Sequence, residues 1–232
     1  KRINLRGCKR IMICVKNIKL ERMKKMNVKK ILSLIICLAI TAGMLIIPPT
    51  AQAEENVGDV WDGTTVDYSW YDGKSSPYTI STAAQFAAFG NILNKVDERD
   101  DRFAGKTIRL AADLDMAGKP FRAMGGHADD MVFAGTFEGQ GHIISNLNIT
   151  QAGLSSNYVA LFARLSGGGA IRDLGLEGVT VDVSGAVNQA AFVGQLIDGS
   201  IPVTIENCFV RDADIKVPIT NDGRVGGFAA AV

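Results

Sequence analysis

The stretch "FAGTFEGQGHIISNLNI", Phe133 to Ile149, decides how this chain folds. Its apolar residues alternate, stop at Ser145-Asn146 and resume out of phase: Ile144 and Leu147 are three residues apart, Leu147 and Ile149 two. Side chains of a straight strand alternate between faces, so the break would turn neighbouring hydrophobes in opposite directions. The stretch recurs downstream. Phe133-Ala-Gly135-Thr-Phe137 returns as Leu161-Phe-Ala163-Arg-Leu165, Phe192-Val-Gly194-Gln-Leu196 and Phe228-Ala-Ala230-Ala-Val232. The phase break returns too: Ile144-Ser-Asn146-Leu147-Asn-Ile149, Ile171-Arg-Asp173-Leu174-Gly-Leu176 and Ile205-Glu-Asn207-Cys208-Phe-Val210.

Asn and Asp are the non-glycine residues that best tolerate left-handed backbone angles. Structural corners at Asn146, Asp173 and Asn207 would swing the chain onto a new face, letting both flanking hydrophobes point inward. Unit spacings of 28, 31 and 36 residues, from Phe133 to Leu161 to Phe192 to Phe228, predict one coil per unit in a solenoid. The expected columns are Ile144/Ile171/Ile205, Leu147/Leu174/Cys208 and Ile149/Leu176/Val210. A β-sandwich also has short strands, but does not need the same corner residue at the same place in each unit. Propeller blades, at about 40 residues, are longer. The expected fold class is all-β, a right-handed parallel β-helix over residues 106–232.

Ahead of the repeats, "YTISTAAQFAAFGNILNKV", Tyr78 to Val96, predicts a helix over 81–97. Ser81 or Thr82 would cap it, and Phe86, Phe89, Leu93 and Val96, with Ile92 beside them, would line one face. Such a helix would cover the first coil as a lid, with residues 54–80 as an extended lead-in. Lys106–Met116 alternates throughout and reads as the first strand.

Met26 to Glu55 reads "MNVKKILSLIICLAITAGMLIIPPTAQAEE". A basic start, an apolar run from Ile31 to Ile47 and Ala51-Gln52-Ala53 make the pattern of a secretory signal peptide over 26–53. The start is Met26 or Met23, and a transmembrane anchor is the competing reading. Residues 1–25 read as upstream, non-native translation or a disordered segment. Residues 1–53 hold 12 of the 25 bases and one of the 24 acids, leaving 13 bases against 23 acids and a net charge of −10 beyond them. So acidic a domain has no bulk attraction for nucleic acid, and it would meet membrane only through its signal peptide during export. Cys8, Cys14 and Cys37 lie in the leader. Cys208 alone remains, standing where its neighbours carry Leu, and reads as a small buried hydrophobe.

"WDGTTVDYSWYD", "YTISTAAQFAAF", "KTIRLAADLDMAGKPF", "FAGTFEGQGHIISNLNI" and "LFARLSGGGAIRDLGLEGV" follow one another as in large surface proteins of Gram-positive, Firmicutes-type bacteria that carry GLUG-type repeats. "FVGQLIDGSIPVTIENCFV" resembles a GLUG repeat itself. The resemblance runs from Trp61 to Val232. It implies a secreted or cell-surface module, with further domains C-terminal to Val232, that binds or spaces and carries no catalytic residues. A host or environmental glycan or protein is the ligand it implies.

Chemistry is sparse. Asp113 and Asp115 project from one strand face and are the candidates for a Ca²⁺ site; a solvent-facing strand is the plainer reading. Asp129-Asp130 near His127 could ligate a metal, or simply be solvated. Without a His-x-x-x-His motif a zinc hydrolase is not expected. Trp61, Trp70, Tyr68 and Tyr71 could stack on sugar rings, core packing being the alternative. Three functions compete: a non-enzymatic adhesin or spacer, an N-terminal accessory domain of a secreted peptidase or carbohydrate-active enzyme, and a β-helical polysaccharide-cleaving enzyme. Export is the first point to test. Expressed from Met26 in a Gram-positive host, the mature protein should begin at Glu54 by Edman sequencing; retention of Met26–Ala53 would refute the signal-peptide reading.

Overall fold

The computed structural model describes residues 59–126, 131–151, 157–184, 188–197, 199–216 and 223–231, all within one unit, Asn56–Val232. Residues 26–53, assigned to the signal peptide, lie outside them. The fold is a parallel β-solenoid. A first sheet stacks β2 (Tyr78–Ile80), β3 (Thr107–Leu110), β6 (Thr136–Glu138), β11 (Ala170–Arg172) and β16 (Thr204–Glu206). A second stacks β1 (Asp59–Val60), β4 (Leu114–Asp115), β7 (Ile143–Ser145), β12 (Gly175–Glu177) and β17 (Phe209–Arg211). The third holds β5 (Pro120–Arg122), β8 (Asn148–Gln151), β13 (Thr180–Asp182) and β18 (Asp214–Lys216). A fourth holds β9 (Tyr158–Val159), β14 (Asn188–Ala190) and β19 (Arg224–Gly226), and a fifth β10 (Phe162–Ser166), β15 (Val193–Ile197) and β20 (Ala229–Ala231). All pairings are parallel, so β3–β5, β6–β10, β11–β15 and β16–β20 are successive coils.

Register places like residues above like. Tyr78, Ile108, Phe137, Ile171 and Ile205 form one inward column. Leu114, Ile144, Leu176 and Val210 form another, and Phe121, Ile149, Val181 and Ile215 a third. Through the interior runs a chain of rings: Phe89–Phe133 at 5.7 Å between centroids, Phe133–Phe162 at 5.3 Å, Phe162–Phe192 at 6.4 Å and Phe192–Phe228 at 4.7 Å. Each fully buried Phe contributes about 1.5–3 kcal/mol by leaving water, so this chain is a main source of cohesion between coils.

The corners are left-handed. Asn146, Asp173 and Asn207 have φ of 52°, 51° and 52°. They do not form one column, however. Asp173 and Asn207 turn the chain from the first sheet to the second, whereas Asn146 turns it from the second to the third, together with Gly178 (φ 64°) and Asp212 (φ 54°). Ile144 accordingly opposes Leu176, not Ile171. The expected alignment therefore slid by one strand in the first unit. Both corners share one grammar, apolar-x-left-handed-apolar, and on short strands that pattern cannot tell them apart. Phe133 slid in the same way, since it opposes Leu165 rather than Leu161. Where the second coil makes the first of these turns, it uses the longer Gly139-Gln140-Gly141-His142; a Cβ on Gly139 would lie 2.4 Å from the Asp173 carbonyl oxygen, so the coils approach too closely there for any side chain.

Lys106–Met116 is likewise not one strand. It supplies β3 and β4 to different sheets, its alternation preserved because Leu110 and Leu114 lie four residues apart across the turn. Helix α1 spans Ala83–Leu93, shorter than 81–97. The Thr82 hydroxyl accepts from Gln85 N at 3.2 Å, Gln85 Oε1 accepts from Ser81 N at 2.8 Å, and Asp59 Oδ2 accepts from Ala83 N at 2.6 Å. Orphan amides at the helix start are thereby satisfied, and a carboxylate meets the positive end of the dipole. Lys95 at φ 50° ends the turn that follows, leaving Val96 off the apolar face and 54% exposed. Phe86 and Phe89 reach from the helix into the solenoid, against Phe121 and Phe137 at 5.9 and 5.6 Å. The helix is the lid of the N-terminal end.

If the left-handed angle is what the corner requires, Asp173→Val should lower stability by about 1–3 kcal/mol, while Asp173→Gly, which keeps the angle accessible, should lower it much less. Urea denaturation measures both; equal losses would refute the corner account.

Candidate functional site

The acids proposed for Ca²⁺ are engaged by the protein. Asp113 Oδ1 accepts from Ile143 N at 3.0 Å and lies 3.0 Å from His142 Nδ1. Asp115 Oδ1 accepts from Ala117 N at 2.7 Å and Asn146 Nδ2 at 2.8 Å. Each carboxylate fastens one coil to the next. Among the described residues no group of three or more His, Cys, Asp or Glu comes together as metal ligands would. His127, Asp129 and Asp130 lie outside the described residues. Cys208, in the corner between β16 and β17, is half-buried and its thiol donates to the Glu206 carbonyl at 3.2 Å; burial raises its pKa.

The two tryptophans offer no open platform for a sugar. Trp61 is 7% exposed, meets Phe121 edge-on at 5.8 Å and donates from Nε1 to Thr65 O at 2.9 Å. Trp70 is half-buried among Tyr71, Tyr78, Phe89 and Phe103, with centroids within 6.5 Å. Tight turns hold this lead-in. Asp62 accepts from the amides of Thr64 and Thr65, and Asp72 from those of Lys74 and Ser75. These hydrogen bonds, with those from the Thr65 and Ser75 hydroxyls, hold both carboxyls well below the usual carboxylate range.

What the sequence did not single out is a cleft of about 210 Å³ beside the lid, walled by α1, the Trp61–Val66 segment and β5. Arg122 and Gln151 stand opposite each other at its edge, where the β5–β8 register shifts between Phe121 and Arg122. Such irregularities re-aim side chains. Asn94, 1% exposed, builds the base: its Nδ2 donates to Ala123 O and its Oδ1 accepts from Gly125 N, both at 3.0 Å. Asn91 Nδ2 donates to the Tyr68 hydroxyl at 3.2 Å. Among the described residues no acid lines the cleft. Nothing in the local pattern around Arg122 marks it, because the helix and β5 meet only in the fold. Gly178 and Asp212 were also passed over as corners, although Leu176-Glu-Gly178-Val179 and Val210-Arg-Asp212-Ala213 repeat the motif.

These features define the domain as a lidded parallel β-solenoid whose outer faces are tied together from coil to coil. No family model matches the chain, and no solved structure does. Among curated proteins it is similar to halomucin of Haloquadratum walsbyi, 28% identical over 178 residues, which are 72% of this chain and 2% of halomucin. It is also similar to a provisionally named Gly-rich membrane protein of Evansella cellulosilytica, 32% identical over 138 residues, 60% of this chain and 15% of that protein. The chain thus spans a small part of the curated relatives it matches. Among the described residues no helix is long and apolar enough to cross a membrane.

The lead-in also responds to alkali. Burial raises the phenol pKa values of Tyr68, Tyr71 and Tyr78, the last from 10.0 to about 12. Below the unfolded pKa of 10.0 the phenols are neutral in both states; above it the unfolded chain ionises first. Stability should therefore fall as pH rises from about 10 to about 12. Tyr71→Phe/Tyr78→Phe should flatten that fall; an unchanged alkaline transition in the double variant would overturn the assignment.

Proposed function

We propose that this domain is a non-enzymatic, extracellular module that binds or spaces within a larger surface protein of the GLUG-repeat type. The observation that carries this reading is how the outward side chains are used. On the first sheet, Arg109, Glu138, Arg172 and Glu206 stand one above another, with Arg109 Nε on Glu138 at 2.7 Å and Arg172 Nε on Glu206 at 2.9 Å. Arg211 pairs with Glu177, and Lys216 with Asp182, on the neighbouring faces. Each exposed pair contributes little by itself, because solvent screens it. Their common effect is to stitch coils into a stiff rod, the property a spacer or display element needs. Great length and the membrane-protein name of one relative agree with a place at the cell surface.

Protease treatment of intact cells tests this. The domain should be cleaved from outside, and the purified protein should release neither reducing ends from polysaccharides nor new amino termini from peptides. Protection in intact cells would refute the surface placement, and turnover would refute the non-enzymatic role.

A further inference from the structure

We infer that the cleft beside α1 is a binding site for a single carboxylate-bearing sugar residue, with Arg122 as its anchor. The inference deepens the surface-module reading and rests on it only for the glycans the domain would meet.

Arg122 lacks, among the described residues, the acidic partner that other arginines of the outer sheet faces have. Arg109, Arg172 and Arg211 each have a Glu on the adjoining coil. Arg122 has neither an ion pair nor a side-chain hydrogen bond among the described residues, and the residue opposite it is the neutral Gln151. A half-buried guanidinium facing a cleft that no described acid lines is a site of positive charge unmatched among the described residues. Its planar fork fits a carboxylate through two parallel hydrogen bonds.

The remaining lining says what the carboxylate is attached to. Val66 and Pro120 give an apolar edge on one side, beside the largely buried Trp61 and Phe121. Asn91 uses its Nδ2 on Tyr68 and keeps its carbonyl oxygen as an acceptor, and the Gln151 amide and the Thr64 hydroxyl add further polar atoms. An apolar edge facing amides and a hydroxyl suits a small ring with a rim of hydroxyls. At about 210 Å³ the cleft is smaller than the 300–1,000 Å³ usual for drug-sized ligands, so it holds one ring rather than a chain. Phosphate fits less well. The α1 N-terminus that would favour a dianion is already occupied by Asp59 and Thr82, and Arg122 is the one cation lining the cleft among the described residues.

Titration of the mature secreted protein with methyl β-D-glucuronide, methyl β-D-glucoside and inorganic phosphate, followed by Trp fluorescence and calorimetry, tests the inference. The glucuronide should bind saturably, and the glucoside and phosphate at least about tenfold more weakly, the loss of one charge-assisted pair. Arg122→Gln should weaken glucuronide binding by a similar factor without changing the melting temperature, since Arg122 makes no contact the fold needs. Arg109→Gln should leave binding unchanged. Absent glucuronide binding, equal binding by Arg122→Gln, or phosphate binding as tight as the glucuronide each overturns the proposal. None of these outcomes moves the protease result on intact cells, so the two readings fail separately.

Discussion

Everything in this domain depends on one backbone requirement, a left-handed residue set between two inward-facing hydrophobes at the end of a three-residue strand. The inner columns need the chain to turn sharply without rotating an apolar side chain into water. A right-handed turn residue would shift the side-chain phase by half a period, and the next strand would present its polar face to the core. Asp173 and Asn207 meet the requirement at small steric expense, and Asn207 Nδ2 donates to Asp173 Oδ1 at 3.0 Å, so each corner also steadies the one beneath it. Short strands, parallel pairing and stacked columns follow from that local choice.

Packing then supplies what the corners only permit. Phe86 and Phe89 enter from α1, and the ring chain continues through Phe133, Phe162 and Phe192. The lid is thus part of the core rather than a cover laid over it. This explains why the helix is buried along most of its length, with Ala83, Ala87 and Ala88 letting its backbone lie close to the coils.

The kind of fold was legible because two periodicities coexist in the chain, two within each strand and near thirty between coils, and because Asn and Asp mark where the first is interrupted. Which coil residue faces which was less so. Ile144-Ser-Asn146-Leu147 and Ile171-Arg-Asp173-Leu174 look alike yet lie at different corners, since β7 and β11 are both three-residue strands centred on one inward Ile. Helix length was overread because Val96 keeps the apolar spacing after Lys95 has left the helical angle. The cleft was invisible for a different reason. Arg122 and Gln151 meet through a register shift, and Asn91 joins them from an element 31 residues away from Arg122. No linear pattern expresses that coincidence.

The outward column on the first sheet has parity. Its signs alternate from coil to coil, and the strands that carry it are separated by 34 residues from Thr136 to Ala170 and again from Ala170 to Thr204. Excising one such coil from the gene would leave the apolar interior continuous but bring Glu138 face to face with Glu206. Excising or duplicating two coils would restore base against acid. On this face base-against-acid pairing therefore survives the removal or duplication of coils in pairs, and an odd step leaves like charges opposed.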